Sequence, residues 1–323
     1  MDNIDNIDNI NNKCNPDDLV LAPEQFVIVG VDRTVTDYIG RPQTSYWKDA
    51  WRRLKQNRLA LSALILLSLL VLLCIIGPGM SGYDFAAIDS SAKNEPPGAA
   101  HWFGTDTLGR DLFAGVWQGG RVSMIIGFVA AFLTSTLGCL YGGVAAYFGG
   151  KVDMIMMRIA EILESIPFLI MVIVLSLALN AKSLGTIILA MVITGWTSIA
   201  ILMRGQMLQL RSMEFVMAAQ GLGVKPVKII TRHIIPNMIG PIIVAITFDI
   251  PGYIFGEAFL SFIGLGIQLP ATSWGALAAA GNAKFLFYPY QLLFPSIAIA
   301  LTMLSFYLLG DGLRDALDPK LRK

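Results

Sequence analysis

Histidine is nearly missing from this chain: His101 and His233 are the only two in 323 residues. That nearly excludes a His-based metal site within it. Cysteine is almost as scarce. Of the three, Cys14 lies in a polar leading stretch and Cys74 and Cys139 lie in apolar runs, so no disulfide framework is implied. Charged residues make up 15%, where soluble domains carry about a quarter. The net charge of +1 gives no signal for nucleic acid. Phosphate-binding loops are absent. Gly149-Gly150-Lys151-Val152 comes nearest, but it lacks Ser or Thr after the lysine and has Ala145 where the first glycine would stand. Gly221-Leu222-Gly223 does not continue as GxGxxG, and neither GxSxG nor HExxH occurs. No enzyme active site can be read, so ATP, if it is used, has to be bound by another chain.

Apolar residues, by contrast, reach 55%, with a mean hydropathy of +0.62, which points to an all-α polytopic membrane protein. Residues 1–43 read as a disordered, variable tail. Asp-Asn-Ile recurs at Asp2, Asp5 and Asp8, and no basic segment leads into an apolar core, as a cleaved signal peptide requires. Residues 44–57 form an amphipathic segment. Trp47, Trp51 and Leu54 recur at helical spacing among Lys48, Arg52, Arg53 and Lys55, which suits a lipid interface or a partner contact. The remainder, 58–323, holds apolar runs at about 58–78, 122–147, 158–179, 184–203, 238–262 and 291–310. Each is near the ~20 residues a helix needs to cross the hydrocarbon. Pro167 is expected to kink the inner end of the third. Gly138 and Gly142 form a small-xxx-small pattern in the second, suited to close helix packing within the subunit or across a dimer.

Lysine and arginine concentrate before the first run, in the loop 204–237 and at the C-terminus. The positive-inside rule therefore puts both termini, and the loops 148–157 and 204–237, in the cytoplasm, as six spans require. Carboxylates inside spans are costly and usually face cavities. Glu161, Glu164, Asp249 and Glu257 are the candidates for a translocation path or gate. For Asp249 the alternative is a polar contact between subunits, and for Glu257 a structural role near an outer gate.

The loop 204–237 is too structured for a plain connection. Glu214 to Gly223 reads as a short helix ended by glycine, and Val224 to Arg232 as a second helical piece, with Pro236 expected to end it. Ala218-Ala219-x-x-x-Gly223 followed by His233-x-Ile235-Pro236 resembles the coupling loop of ABC importer permeases. Met217 holds the usual acidic position and Glu214 lies three residues upstream. Other stretches carry the same resemblance. They are Gly104-Thr105-Asp106-Thr107-Leu108-Gly109-Arg110-Asp111, Gly149 to Asp153, Leu260 to Gly266 with Ser273-Trp274-Gly275, and Gly310 to Pro319. Over roughly residues 45–323 the chain is identified as a member of the dipeptide/oligopeptide/nickel permease family. It is most similar to the C subunit of oligopeptide permeases of Gram-positive type.

The resemblance implies a type I ABC-importer permease fold in the plasma membrane. It implies a second permease, two ATPases that bind ATP and Mg, and an extracellular peptide-binding lipoprotein. No cofactor, metal or catalytic residue is expected in this chain. The resemblance assigns Glu214, Ala218, Ala219, Gly223, His233 and Pro236 to ATPase coupling. Glu214 fits either a partner-facing ion pair or a solvated charge. Gly104, Thr105, Asp106, Gly109, Arg110 and Asp111 fit either docking or gate packing outside the membrane, or plain loop structure. The cargo could also be dipeptides, nickel chelates or glutathione. A secondary transporter would show paired broken helices in two repeats, and no second copy is found.

Overall fold

The computed structural model describes residues 45–179, 183–267 and 271–317. The expected tail at 1–43 and the closing Lys320-Leu321-Arg322-Lys323 lie outside them. The helices belong to the compact unit that begins at Tyr46. They are α1 (Tyr46–Gln56), α2 (Arg58–Met80), α3 (Leu112–Phe148), α4 (Gly150–Glu164), α5 (Phe168–Ala178) and α6 (Leu184–Arg211). They continue with α7 (Glu214–Gly221), α8 (Pro226–Ile229), a π turn (Ile230–Ile234), α9 (Ile235–Phe262), α10 (Trp274–Asn282) and α11 (Tyr290–Leu317). Among the described residues there is no strand, only an isolated bridge between Thr105 and Asp111.

Five helical stretches are long and apolar enough to cross a membrane: α2, α3, α6, the π turn with α9, and α11. Their outer faces carry exposed Ile65, Leu72, Phe132, Leu140 and Phe255, as expected where lipid is the solvent. Helix α3 is the spine. Its 37 residues rise about 55 Å, well beyond a ~30 Å hydrocarbon core. It packs along α6, and also against α2, α9 and α10. A Cβ on Gly138 would lie 2.6 Å from Ile199 Cγ2, and one on Gly142 would strike the carbonyl of Ala200. The small-residue face is therefore used within the subunit, where it lets α3 and α6 approach closely.

The third expected span, 158–179, is not one helix. Helix α4 ends at Glu164 and α5 starts at Phe168. Pro167 has no N–H and pushes the preceding residue out of the helical region. The chain accordingly turns at Ser165-Ile166, with Ile166 N–H donating to the Leu163 carbonyl at 3.2 Å. With 11 residues, α5 rises only about 16 Å and cannot cross alone.

Side-chain N-caps start α2, α3, α6 and α10, the last two from Ser183 and Ser273. Asn57 Oδ1 accepts from the N–H of Leu59 and Ala60 at the start of α2, each at 3.1 Å. Asp111 Oδ2 accepts from Ala114 N–H at 2.8 Å at the start of α3. Such caps contribute about 1 kcal/mol each. Helix α1 buries Ala50 and Leu54, leaves Trp47 and Trp51 exposed, and has Lys55 Nζ 5.2 Å from the Trp51 ring. The Tyr46 hydroxyl donates to the Leu317 carbonyl at 3.2 Å, tying α1 to the end of α11.

Candidate functional site

Helix α7 and the π turn form the loop between α6 and α9. Val216 and Ala219 are buried in an apolar cluster with Ala146 of α3, Met203 and Met207 of α6, Ile229, Ile234 and Met238. The opposite face, with Glu214, Met217 and Ala218, is exposed. Glu214 precedes Met217 by three residues and Ala218 by four, so these share one helical face. After Gly221 the chain closes in a Schellman motif: Val224 N–H donates to the Ala219 carbonyl at 3.1 Å and Gly223 N–H to the Gln220 carbonyl at 2.9 Å. Gly223 supplies the required left-handed residue, with φ +72°, and nothing lies within 4 Å of where its Cβ would be. The His233 ring is half-buried and tilted against Phe215, with centroids 6.4 Å apart, so it bridges the π turn and α7.

Pro236 does not end a helix. It sits in the first turn of α9, and the helix continues to Phe262. The π turn explains this: Ile235 N–H bonds back five residues to the Ile230 carbonyl. That wider turn accommodates a residue with no N–H at the start of the next segment.

The four candidate carboxylates separate into three environments. Asp249 and Glu164 line a cavity of about 510 Å³ between the α4–α5 break, α6 and α9. Ser165, Pro167, Thr194, Ser198, Gly252 and Tyr253 line it too. Asp249 Oδ2 is buried without a hydrogen-bond partner, and Glu164 Oε1 accepts from Ser198 Oγ at 3.2 Å. Glu257 is fully buried elsewhere. Its two oxygens accept from Ser123 Oγ at 2.8 Å and Ser261 Oγ at 2.7 Å. Ser123 Oγ in turn accepts from Trp274 N–H at 3.2 Å, so the carboxylate knits α3, α9 and α10 together. Glu161 is exposed and paired with Arg158 at 2.8 Å.

Two arginines were not singled out by the sequence pattern. Arg204 makes a bidentate pair with Asp153, both contacts at 2.5 Å, fastening the start of α4 to α6. This hydrogen bonding, ahead of the plain charge attraction, holds the Asp153 carboxyl below its ordinary range. Arg121 Nε donates to the Cys74 carbonyl at 2.5 Å and a second guanidinium nitrogen donates to the Ile75 carbonyl. Cys74 is the residue whose carbonyl Pro78, inside α2, cannot bond. A signal was present for both: an arginine inside or bordering an apolar run needs a partner.

Residues 104–111 form a closed loop. Gly104 and Gly109 have φ of +77° and +79°. Thr105 is fully buried: its hydroxyl donates to the Ala92 carbonyl and accepts from Glu95 N–H at 2.8 Å. Asp106 accepts from Leu108 and Arg110 N–H and pairs with the Arg110 side chain at 2.6 Å. Asp111 caps α3 and lies 2.8 Å from His101 Nδ1. Gln291 Nε2, at the head of α11, donates to the Thr105 carbonyl at 3.0 Å. Thr107 and Leu108 remain exposed at the tip.

A chain so built is similar to known transport components. Residues 135–323 match the model of the binding-protein-dependent transport system inner membrane component family. Residues 45–97 match that of the N-terminal TM domain of oligopeptide transport permease C. The dipeptide transport system permease protein DppC of Bacillus subtilis is 46% identical, over 93% of this chain and 94% of its own. The oligopeptide transport system permease protein OppC of the same organism is 47% identical over 88% and 93%, and that of Escherichia coli K12 is 42% identical over 85% and 92%. Among solved structures, an inward-facing form of the MetNI methionine ABC transporter aligns with a TM-score of 0.51 at 18% identity, covering 64% of this chain and 96% of that one. Long apolar helices, an exposed glycine-capped loop helix and these likenesses converge: the chain is an integral plasma-membrane protein and belongs to the binding-protein-dependent transport system inner membrane component family, the permeases of ABC importers.

Proposed function

We propose that this chain is one of two permease subunits of a peptide importer driven by two partner ATPases and fed by an extracellular peptide-binding lipoprotein. ATP and Mg belong to the partners, and this subunit is not itself a catalyst. It crosses the membrane six times, with the later part of α4 and all of α5 making the third crossing and both termini in the cytoplasm. The lysine and arginine distribution supports that orientation. Oligopeptides are the favoured cargo, since residues 45–97 match the oligopeptide permease C model. Dipeptides are the second reading, supported by the 46% identity to a dipeptide permease. A Gram-positive source is supported by the Bacillus subtilis relatives.

The observation that carries the coupling assignment is α7. Its buried face is keyed to the ends of α3, α6 and α9, and its exposed face offers Glu214, Ala218 and the open Gly223. A helix fixed on one side and narrow on the other can enter a cleft on an ATPase and pass a displacement to the spans. His233 and Pro236 act on its inner side, joining the loop to α9. Asp249 and Glu164 line the path, Glu257 braces its wall, and Glu161 lies at its inner margin. The exposed tip of the 104–111 loop faces the binding protein, with Gly104, Thr105, Asp106, Gly109, Arg110 and Asp111 holding its shape. The test is uptake of a defined oligopeptide as sole source of a required amino acid by cells carrying Gly223→Asp. Aspartate tolerates the left-handed conformation better than most residues but adds bulk and charge. Loss of uptake and of peptide-stimulated ATP hydrolysis in a normally assembled complex is expected. Unchanged rates would refute the coupling role, and peptide uptake that survives deletion of this chain would refute the cargo.

A further inference from the structure

The cavity of about 510 Å³ beside α9 falls within the ~300–1,000 Å³ of ligand sites. Its polar groups share one sign. Asp249 contributes a carboxylate whose Oδ2 is buried and unpartnered, and Glu164 contributes one that accepts from Ser198. The end of α4 and the start of α5 both border the cavity, at Ser165 and Phe168, so their opposite helix-end charges offset and the carboxylates set its sign. Thr194, Ser198 and Tyr253 add hydroxyls, and no Lys, Arg or His is among the lining residues. A carboxylate oxygen withdrawn from water without a counter-charge is costly, and a bound cation would offset that cost. The rest of the lining is apolar, with Phe168, Met191 and Ile199. That combination fits an ammonium group joined to an organic body better than a bare metal ion, which prefers a shell of oxygens.

We propose that this cavity takes the primary ammonium at the amino terminus of the cargo during passage, with Asp249 as its main partner and Glu164 and Ser198 accepting its remaining N–H groups. The inference rests on the peptide-importer reading. It explains how a path can hold peptides of any sequence, because every unmodified peptide carries this group while the apolar wall leaves the first side chain unselected. An ammonium has three donors and no acceptor, which matches a lining of carboxylates and hydroxyls.

The test uses the full complex in liposomes, with partner permease, ATPases and binding protein, and compares uptake of tetra-alanine with uptake of its N-acetylated form. The binding protein's own preference is common to all permease variants and cancels when their ratios are compared. Asp249→Asn is expected to lower the ratio of free to acetylated uptake about tenfold relative to the native permease, the size of one charge-assisted hydrogen bond. Asp249→Glu is expected to restore much of it. An unchanged ratio, including an equal fall for both peptides, overturns the proposal. So does uptake of both peptides that depends alike on Asp249 and on added sodium or potassium, which would make the ligand an inorganic cation. If Asp249→Asn does not assemble, Glu164→Gln carries the test, with a smaller fall in the ratio expected and an unchanged ratio again overturning it. Failure of the native complex to import either peptide would instead refute the peptide-importer reading, before any variant is compared.

Discussion

Arg121 offers the most direct test of how this chain tolerates a proline in a membrane helix. Pro78 lies inside α2 and cannot donate to the carbonyl of Cys74, four residues back. In water that carbonyl would be solvated; in hydrocarbon an unpaired group costs several kcal/mol. Arg121 of α3 reaches across and donates to it at 2.5 Å, and also to the Ile75 carbonyl. Hydrogen bonds to charged groups contribute about 1.5–3 kcal/mol each. Arg121→Ala is therefore expected to destabilise the protein by ~3 kcal/mol or more. The sharper test is a cycle. Pro78→Ala restores an N–H that can bond Cys74 within the helix, so Arg121→Ala made in that background loses the Ile75 contact and the 3.2 Å bond to Gln118 but orphans no Cys74 carbonyl. The two substitutions are expected to couple by about 1.5–3 kcal/mol, the worth of the Cys74 contact, read as several degrees in thermal unfolding of the purified protein in one detergent. Strict additivity would refute the argument, because Arg121 would then act through its charge or packing alone.

Two further substitutions probe the frame around the site. Gly138→Ala places a Cβ 2.6 Å from Ile199 Cγ2 and 2.7 Å from the Trp196 carbonyl, whereas Gly143→Ala meets nothing within 4 Å. The first is expected to lower thermal stability by about 1–3 kcal/mol and the second to be neutral or slightly stabilising, since alanine favours helix; equal effects would remove α3–α6 contact as the reason for the glycine. The Asp153–Arg204 pair predicts a pH dependence. Its folded carboxyl is held below the ordinary 3.8, so its contribution is present above that value and is lost as pH falls through the lowered one. Native protein and Asp153→Asn are expected to differ in melting temperature by a constant amount at neutral pH, with the gap closing only in strong acid; a gap that closes near neutrality would mean another group titrates.

The sequence displays its apolar runs plainly, and the five long helices fall on them, but their ends are hidden. Helix α3 starts at Leu112, well before the apolar run at 122, because Gly119 and Gly120 pack on Ser273 and Trp274 and Arg121 finds carbonyl partners. Helix α6 continues past 203 to Arg211, since Arg204 is neutralised by Asp153, 51 residues away. Hydropathy averages over a window and does not register a polar residue whose partner is distant in sequence. The same limit applies to the carboxylates. Asp249 and Glu257 look alike within one apolar run, yet Ser123, 134 residues earlier, satisfies only Glu257. Which carboxylate faces a cavity is decided by tertiary contacts that no local pattern records.

Pro236 carries the largest consequence. Read locally, proline ends a helix, and the loop then becomes a separate body hung between two spans. In the structure the π turn passes directly into α9, and that one element holds His233, Pro236, Asp249 and Glu257 in order. Asp249 lies 13 residues beyond Pro236, about 20 Å along the helix. The His233–Phe215 contact and the shared apolar cluster join α7 to the π turn. From there α9 runs on to the cavity wall before Pro251, with one interior proline, Pro241, on the way. The backbone bonding pattern changes at two places on this route, the wide turn and Pro241, which has no N–H to donate within α9, and π turns recur at functional sites. A helix that begins at a change of hydrogen-bond register and carries an unpartnered carboxylate oxygen at mid-length joins the α7 loop at one end to the cavity along its flank.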